Sequence, residues 1–360
     1  MAQSKGQNVG TPRFYVDLIQ YGLTIGEINV DEFGLDGIDD SGGTRLWGQS
    51  KQDLAQLFYL NPTKRGVEVS RNYLTNTSGI FSIPTGSPHL AMNYVMILGH
   101  NLAISPTSFN IKQVTFENGY YETTGGVQIE SGYINHTASA VPSYNGWSLI
   151  KVRRAPAETD YLELTLTPMD SDNEVIDDTV RINTISMGQF YDMPHSPDLQ
   201  LTMTREFDGI KHVTTKGGAL LSNINYAHSS NWLREPWGLQ EWWSSIDDTL
   251  DRRPGRRVWN LKFSYIDHSN VMPDMELINN LGLESYQDMM NYELYHTDNT
   301  FFSQFMKNTL GGNLRFVFQP DKDNMKPDGF AICILDQKGV SIRQVAHKVY
   351  DISLKIMEAW

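Results

Sequence analysis

The chain has 360 residues, enough for about two domains, with 40% hydrophobic and 20% charged residues, the balance of a globular protein able to bury a substantial core. Its net charge is −13. That excess argues against wrapping nucleic acid, because each phosphate contact wants a Lys or Arg, and against lying on anionic lipid.

Residues 1 to about 12 are polar, with Gly6, Gly10 and Pro12, and read as loose. They lack the apolar stretch of a signal peptide, and no window approaches the roughly 18 apolar residues of a membrane helix. The expectation is synthesis in a cytoplasm and no membrane insertion. Arg13 to Tyr21 fits a strand or a short helix, with strand preferred, and Val30 to Gly43 reads as an acidic, Gly-rich loop. Tyr59-Leu-Asn-Pro62 resembles a turn, and Val67 to Tyr73 alternates weakly.

From Asn93 onward the texture is that of short strands separated by turn residues, which predicts a sandwich or barrel. Tyr94 to Gly99 is a fully apolar strand, Phe109 to Phe116 alternates, and Leu149 to Arg153 follows Gly146-Trp147. Tyr161 to Thr167 is the clearest strand, with Leu162, Leu164 and Leu166 on one face. Val180 to Phe190 reads as the closing strand of this unit, and Tyr191 to Pro197 as an exit linker.

Leu199, Leu201 and Met203 alternate with polar neighbours. Lys211 to Thr215, Gly217-Gly218 and Ala219 to Tyr226 form a hairpin pattern. Val258 to Ile266 reads as a strand with Leu261, Phe263 and Tyr265 inward. Helices are expected near Met275 to Leu283 and Thr300 to Leu310. The second would be capped by Asp298 or Asn299 and stopped by Gly311-Gly312, with Phe301, Phe302, Phe305, Met306 and Leu310 at helical spacing. Cys333, the only cysteine, lies in the apolar run Phe330 to Leu335. It permits no intramolecular disulfide and reads as a buried, inert thiol. The final strand shows Tyr350, Ile352, Leu354 and Ile356 alternating with Asp351, Ser353 and Lys355.

The residues show no pattern for catalysis or for a resident cofactor. The nine histidines have no metal spacing, Ser/His/Asp chemistry lacks its Gly-x-Ser-x-Gly elbow, and no Gly pair leads into a phosphate loop. Asp170 to Glu174 and Asp321 to Asn324 superficially resemble calcium loops but lack the Gly and closing Glu of an EF-hand, so solvated turns are expected. Trp232, Trp237, Trp242 and Trp243 fall within twelve residues, half of all eight tryptophans. Intramolecular packing, a subunit interface and a sugar-stacking platform all suit such a cluster.

Leu98-Gly-His-Asn-Leu102, directly after an apolar strand, resembles a signature of jelly-roll modules in phage tail proteins, which are similar to galactose-binding-like β-sandwiches. Gly255-Arg-Arg-Val-Trp259, the Phe301 to Leu310 segment, Phe316 to Asp321 and the last strand resemble the core domain of distal tail or baseplate proteins. The resemblance implies a mainly β chain: a jelly-roll β-sandwich over 76–192 and a β-barrel or sandwich with one or two packed helices over 197–360. Residues 1–75 would pack on that last domain. It further implies a non-enzymatic virion component of the tail or baseplate, with no cofactor, whose partners are its own copies in a symmetric ring and neighbouring tail proteins. A carbohydrate-binding adsorption protein that grips host glycan is the alternative, and a glycan depolymerase a third. Trp232, Trp237, Trp242 and Trp243 are the candidate interface.

Overall fold

The structure, a computed structural model, describes residues 9–30, 34–37, 55–60, 67–70, 79–84, 93–98, 107–117, 120–122, 147–151, 161–168, 179–182, 184–199, 201–206, 210–224, 256–272, 299–325 and 329–359. It is mainly β, with few helices. A ten-stranded sheet runs in the order β12 (Thr202–Glu206), β15 (Arg256–Asp267), β19 (Val349–Glu358), β17 (Ala331–Leu335), β16 (Phe316–Gln319), β1 (Arg13–Asp17), β11 (Thr184–Asp192), β5 (Tyr94–Leu98) and β8 (Trp147–Lys151). Its tenth strand, β18 (Ser341–Ala346), pairs with β19. A five-stranded sheet holds β2 (Gly34–Gly37), β4 (Gly79–Pro84), β9 (Tyr161–Pro168), β6 (Thr107–Glu117) and β7 (Tyr120–Glu122). β3 (Val67–Ser70) pairs with β10 (Thr179–Ile182), and β13 (Ile210–Thr214) with β14 (Leu220–Ile224).

Strands from all three expected segments meet in the large sheet: β1 from the first, β5, β8 and β11 from the second, the remainder from the third. The middle of that sheet is buried on both faces, and alternation sorts its side chains. Phe14, Val16, Val95, Ile97, Phe316, Phe318, Ala331 and Cys333 belong to one core. Tyr15, Tyr94, Met96, Leu98, Val317 and Ile332 belong to another. This is why Tyr94 to Leu98 is apolar without a break.

β1 ends sooner than the expected strand over 13–21. The Asp17 carboxylate accepts the Gln20 amide at 2.9 Å, caps α1 (Leu18–Ile25), and Gly26 closes that helix with φ 80°. Opposite Asp17 stands Gly188, where a Cβ would lie 2.0 Å from the Val16 carbonyl oxygen. Only glycine lets β11 approach the strand-to-helix corner so closely.

Several other expectations shift. Within the supposed loop 30–43, Gly34 to Gly37 is a strand paired with β4. The supposed single strand 180–190 is two strands, β10 and β11, in different sheets. The supposed linker after Phe190 instead completes β11: Tyr191 and Met193 are buried, Arg13 forms a two-pronged ion pair with Asp192, and the Met193 amide donates to the Pro12 carbonyl. The Thr300 to Leu310 segment is a π-helix over Phe302–Lys307, with Thr300 rather than Asn299 accepting the Ser303 amide. Phe301 and Phe305 are buried against Phe14, whereas Phe302 and Met306 are half-buried and Leu310 is exposed with φ 51°. Gly311 and Gly312 are both left-handed, as the stop signal predicts. Met275 to Leu283 and Asp298 lie outside the described residues.

Candidate interaction surface

Most of the singled-out residues lie outside the described residues: Trp232, Trp237, Trp242 and Trp243, His100 and Asn101, and Asp170 to Glu174. Cys333 is fully buried, and burial pushes its thiol well above the usual range, which suits an inert core residue. The Asp321 to Asn324 segment is a turn in which the Asp323 amide donates to the Asp321 carboxylate at 3.2 Å and the Asn324 amide to the Asp321 carbonyl at 2.9 Å. Among the described residues no three His, Cys, Asp or Glu side chains come together as a metal group. No described helix is long and apolar enough to cross a membrane.

Exposed apolar side chains gather at two places instead. The first is the β13–β14 hairpin. Its tip follows the expected pattern: the Gly218 amide donates to the Thr215 carbonyl at 2.9 Å, Gly218 has φ 83°, and the Thr215 amide donates to the Ala219 carbonyl at 2.9 Å. This is a three-residue loop with a left-handed closing glycine, the geometry Lys216-Gly-Gly encodes. Val213 pairs across the ribbon with Leu221, so the two share a face, while Leu220 faces the other way opposite Thr214. Val213 is 60% exposed, Leu220 64% and Leu221 58%. A two-stranded ribbon wet on both faces is marginal alone, and leaving three aliphatic side chains in water forgoes about 1.5–3 kcal/mol each relative to full burial.

The second place is a bulge in β15. The pairing of β15 with β19 slips between Phe263 and Ile266. Leu261 and Phe263 point into the core as alternation predicts, but Tyr265, also expected inward, is 78% exposed with φ 62°. The extra residue of the bulge turns it outward, and Ile266 takes the buried position. Asp351 holds the strained corner by accepting the Tyr265 amide at 3.2 Å. Just upstream, the Asp198 amide donates to the Lys262 carbonyl at 2.7 Å, and the Ser264 hydroxyl donates to the Asp198 carboxylate at 2.7 Å. Leu199 and Tyr265 each lie one residue beyond that clamp, and Leu199 is wholly exposed. The adjacent apolar pair Tyr265-Ile266 at the end of an alternating run is the sequence signal of the bulge. The doublet Leu220-Leu221 after Gly-Gly is the corresponding signal in the hairpin.

Elsewhere, polar groups serve the fold. Arg257 grips Glu358 through Nη2 to Oε1 at 2.9 Å and Nε to Oε2 at 3.2 Å, and also donates to the Phe330 carbonyl at 2.8 Å, tying β15 to the end of β19. Asp17 is buried; desolvation pushes its carboxyl up to about 8, opposed by the Gln20 amide and the Ser186 hydroxyl. Ser186 also lies 3.0 Å from the Tyr94 hydroxyl, and burial raises that phenol well above its usual range.

Comparison with protein-family models, curated proteins and solved structures finds no match.

Proposed function

We propose that this chain is a structural, non-enzymatic subunit of a tailed-phage virion, placed in the tail or baseplate and working by assembly as a symmetric ring. The observation that carries the reading is the β13–β14 hairpin, a narrow ribbon with apolar side chains on both faces. Exposed apolar area of this kind is what a protein keeps for a partner. The motifs at Leu98 to Leu102, Gly255 to Trp259 and Phe316 to Asp321, which resemble those of tail proteins, supply the virion assignment. The partners proposed are further copies of the chain and neighbouring tail proteins, after synthesis in the host cytoplasm.

Sedimentation equilibrium and light scattering test the assembly reading directly. A concentration-dependent oligomer of closed stoichiometry is the expected result. A chain that stays monomeric at high concentration while retaining immobilised host glycan would overturn it in favour of the adsorption protein.

A further inference from the structure

Among the described residues two carboxyls are buried, Glu358 and Asp17. Glu358 is gripped by Arg257. Asp17, only 2% exposed, has no ion-pair partner among the described residues: its Oδ1 accepts the Gln20 amide at 2.9 Å, and its Oδ2 is buried without a donor. One helical turn further on, the Gln20 side-chain oxygen is also buried without a donor. An ionised carboxylate in that setting gives up hydration that nothing replaces, so the closed corner suits the neutral acid.

Sheet register places Tyr94, Gly188 and Asp17 in one row across β5, β11 and β1. Ser186, two residues along β11 and on the same face, lies 3.0 Å from the Tyr94 hydroxyl. The chain then turns across Gly188 so closely that a Cβ there would lie 2.8 Å from the Leu18 amide nitrogen, which seats the start of α1 on β11. The two arms of this corner are held unequally. β1 is paired on both edges, with β11 and with β16, and Arg13 locks it to Asp192. α1 has 8 residues, too few to persist as a helix once undocked, and Thr24 and Ile25 are already exposed. Undocking α1 is therefore the least costly way to bring water to Asp17.

We propose that this corner is a proton-held latch: protonated Asp17 keeps α1 docked on β11, and loss of the proton releases α1 while β1 stays in the sheet. Burial, which disfavours the charge, outweighs the Gln20 amide and the Ser186 hydroxyl that favour it, and raises the carboxyl from 3.8 to about 8. When α1 lifts, the carboxyl returns to water and to its ordinary acidity. The open form therefore gains on the closed one as pH rises from about 4 to about 8, and no further above that. Of the other titratable groups around the corner, Tyr94 on β5 and Tyr15 on β1 stay protonated over this range, because burial pushes both phenols up, Tyr15 to about 12. Arg13, at the far end of β1, pairs with Asp192 of β11. α1 adds Tyr21, and β16 and the turn Gln56–Phe58 carry no titratable side chain. The π-helix packs on the opposite, Phe14 face of β1, and its Lys307 interacts with Glu27.

Hydrogen–deuterium exchange on the full chain between about pH 5 and 9 tests the latch. After correction for the intrinsic exchange rate, protection of the amides of Gln20 and of Gly22 to Ile25 should fall about tenfold per pH unit up to about pH 8 and then level off. Phe14 to Val16 and Ile185 to Gly188 should remain better protected than α1 at every pH. Asp17→Asn keeps a capping oxygen and cannot ionise, so protection of its α1 should be flat across the same range. Should that variant misfold, the carboxyl-carbon resonance of Asp17 in the parent should still titrate well above the ordinary carboxylate range. A carboxyl that titrates at its ordinary value, or α1 protection in the parent that does not change with pH, overturns the proposal. A steep pH dependence that persists in Asp17→Asn overturns it too, since another group would then hold α1. So does loss of protection in α1 and β1 together, because the corner would then open only with the whole sheet.

Discussion

Asp17 is the residue whose charge state the fold constrains most visibly. It caps α1 through one carboxylate oxygen, while the other has no hydrogen-bond donor. Burial raises its folded pKa from 3.8 to about 8. Because the folded state holds this proton more tightly than the unfolded chain, its stabilising contribution is complete below about pH 4. It is lost progressively as pH rises to about 8. At roughly 1.4 kcal/mol for each unit of difference, the effect amounts to several kcal/mol. Asp17→Asn keeps a capping oxygen and removes the titration. Melting temperature measured between pH 5 and 9 should therefore fall in the parent and stay flatter in Asp17→Asn. Parallel curves would show that Asp17 is ionised in the fold, or hydrated.

At the scale of elements, the π-helix and the β15 bulge make opposite predictions. Phe305 is fully buried, with ring centroids 4.6 Å from Phe14 and 4.8 Å from Phe316. Truncating it should cost about 3–5 kcal/mol and lower the melting temperature sharply. A neutral Phe305→Ala would remove the π-helix from the core. Tyr265 should behave in reverse: Tyr265→Gly relieves a left-handed backbone and exposes nothing new, so folding stability should hold or rise by about 1 kcal/mol. Chemical denaturation distinguishes the two, and a loss at Tyr265→Gly would mean its ring packs on the fold. These elements also mark where sequence reading succeeds. Period-two alternation placed β15 and β19, and an unbroken apolar run placed β5, because faces and burial alone decide them. The run Arg13 to Tyr21 fits strand or helix and is in fact both, because the Asp17 cap switches a strand-like run to helix, and Tyr265 is misplaced because a bulge changes the period without changing composition. At the candidate surface, the hairpin was legible from Gly217-Gly218. Its exposure was not, since whether a third strand covers a ribbon is a tertiary matter.

For the whole molecule, the position of β1 decides how many units unfold. It pairs with β11 on one side and β16 on the other, so it joins the β11–β5–β8 half of the large sheet to the β16–β17–β19–β15–β12 half. Phe14 sits at this junction, buried among Phe301, Phe305, Phe316 and Phe318, in the same core as Val95, Ile97, Ile352 and Leu354. The residues expected to form a separate module over 76–192 contribute three strands to that continuous sheet. A domain is a unit with its own core, and a core shared across the junction favours cooperative loss of both halves. Phe14→Ala should therefore cost about 3–5 kcal/mol. It should lower native-state hydrogen-exchange protection in β5 and in β19 by the same free energy. If β16 to β19 lose protection while β5 and β11 keep theirs, the 76–192 segment carries a core of its own. β1 would then be a tether between two folding units rather than the strand that makes them one.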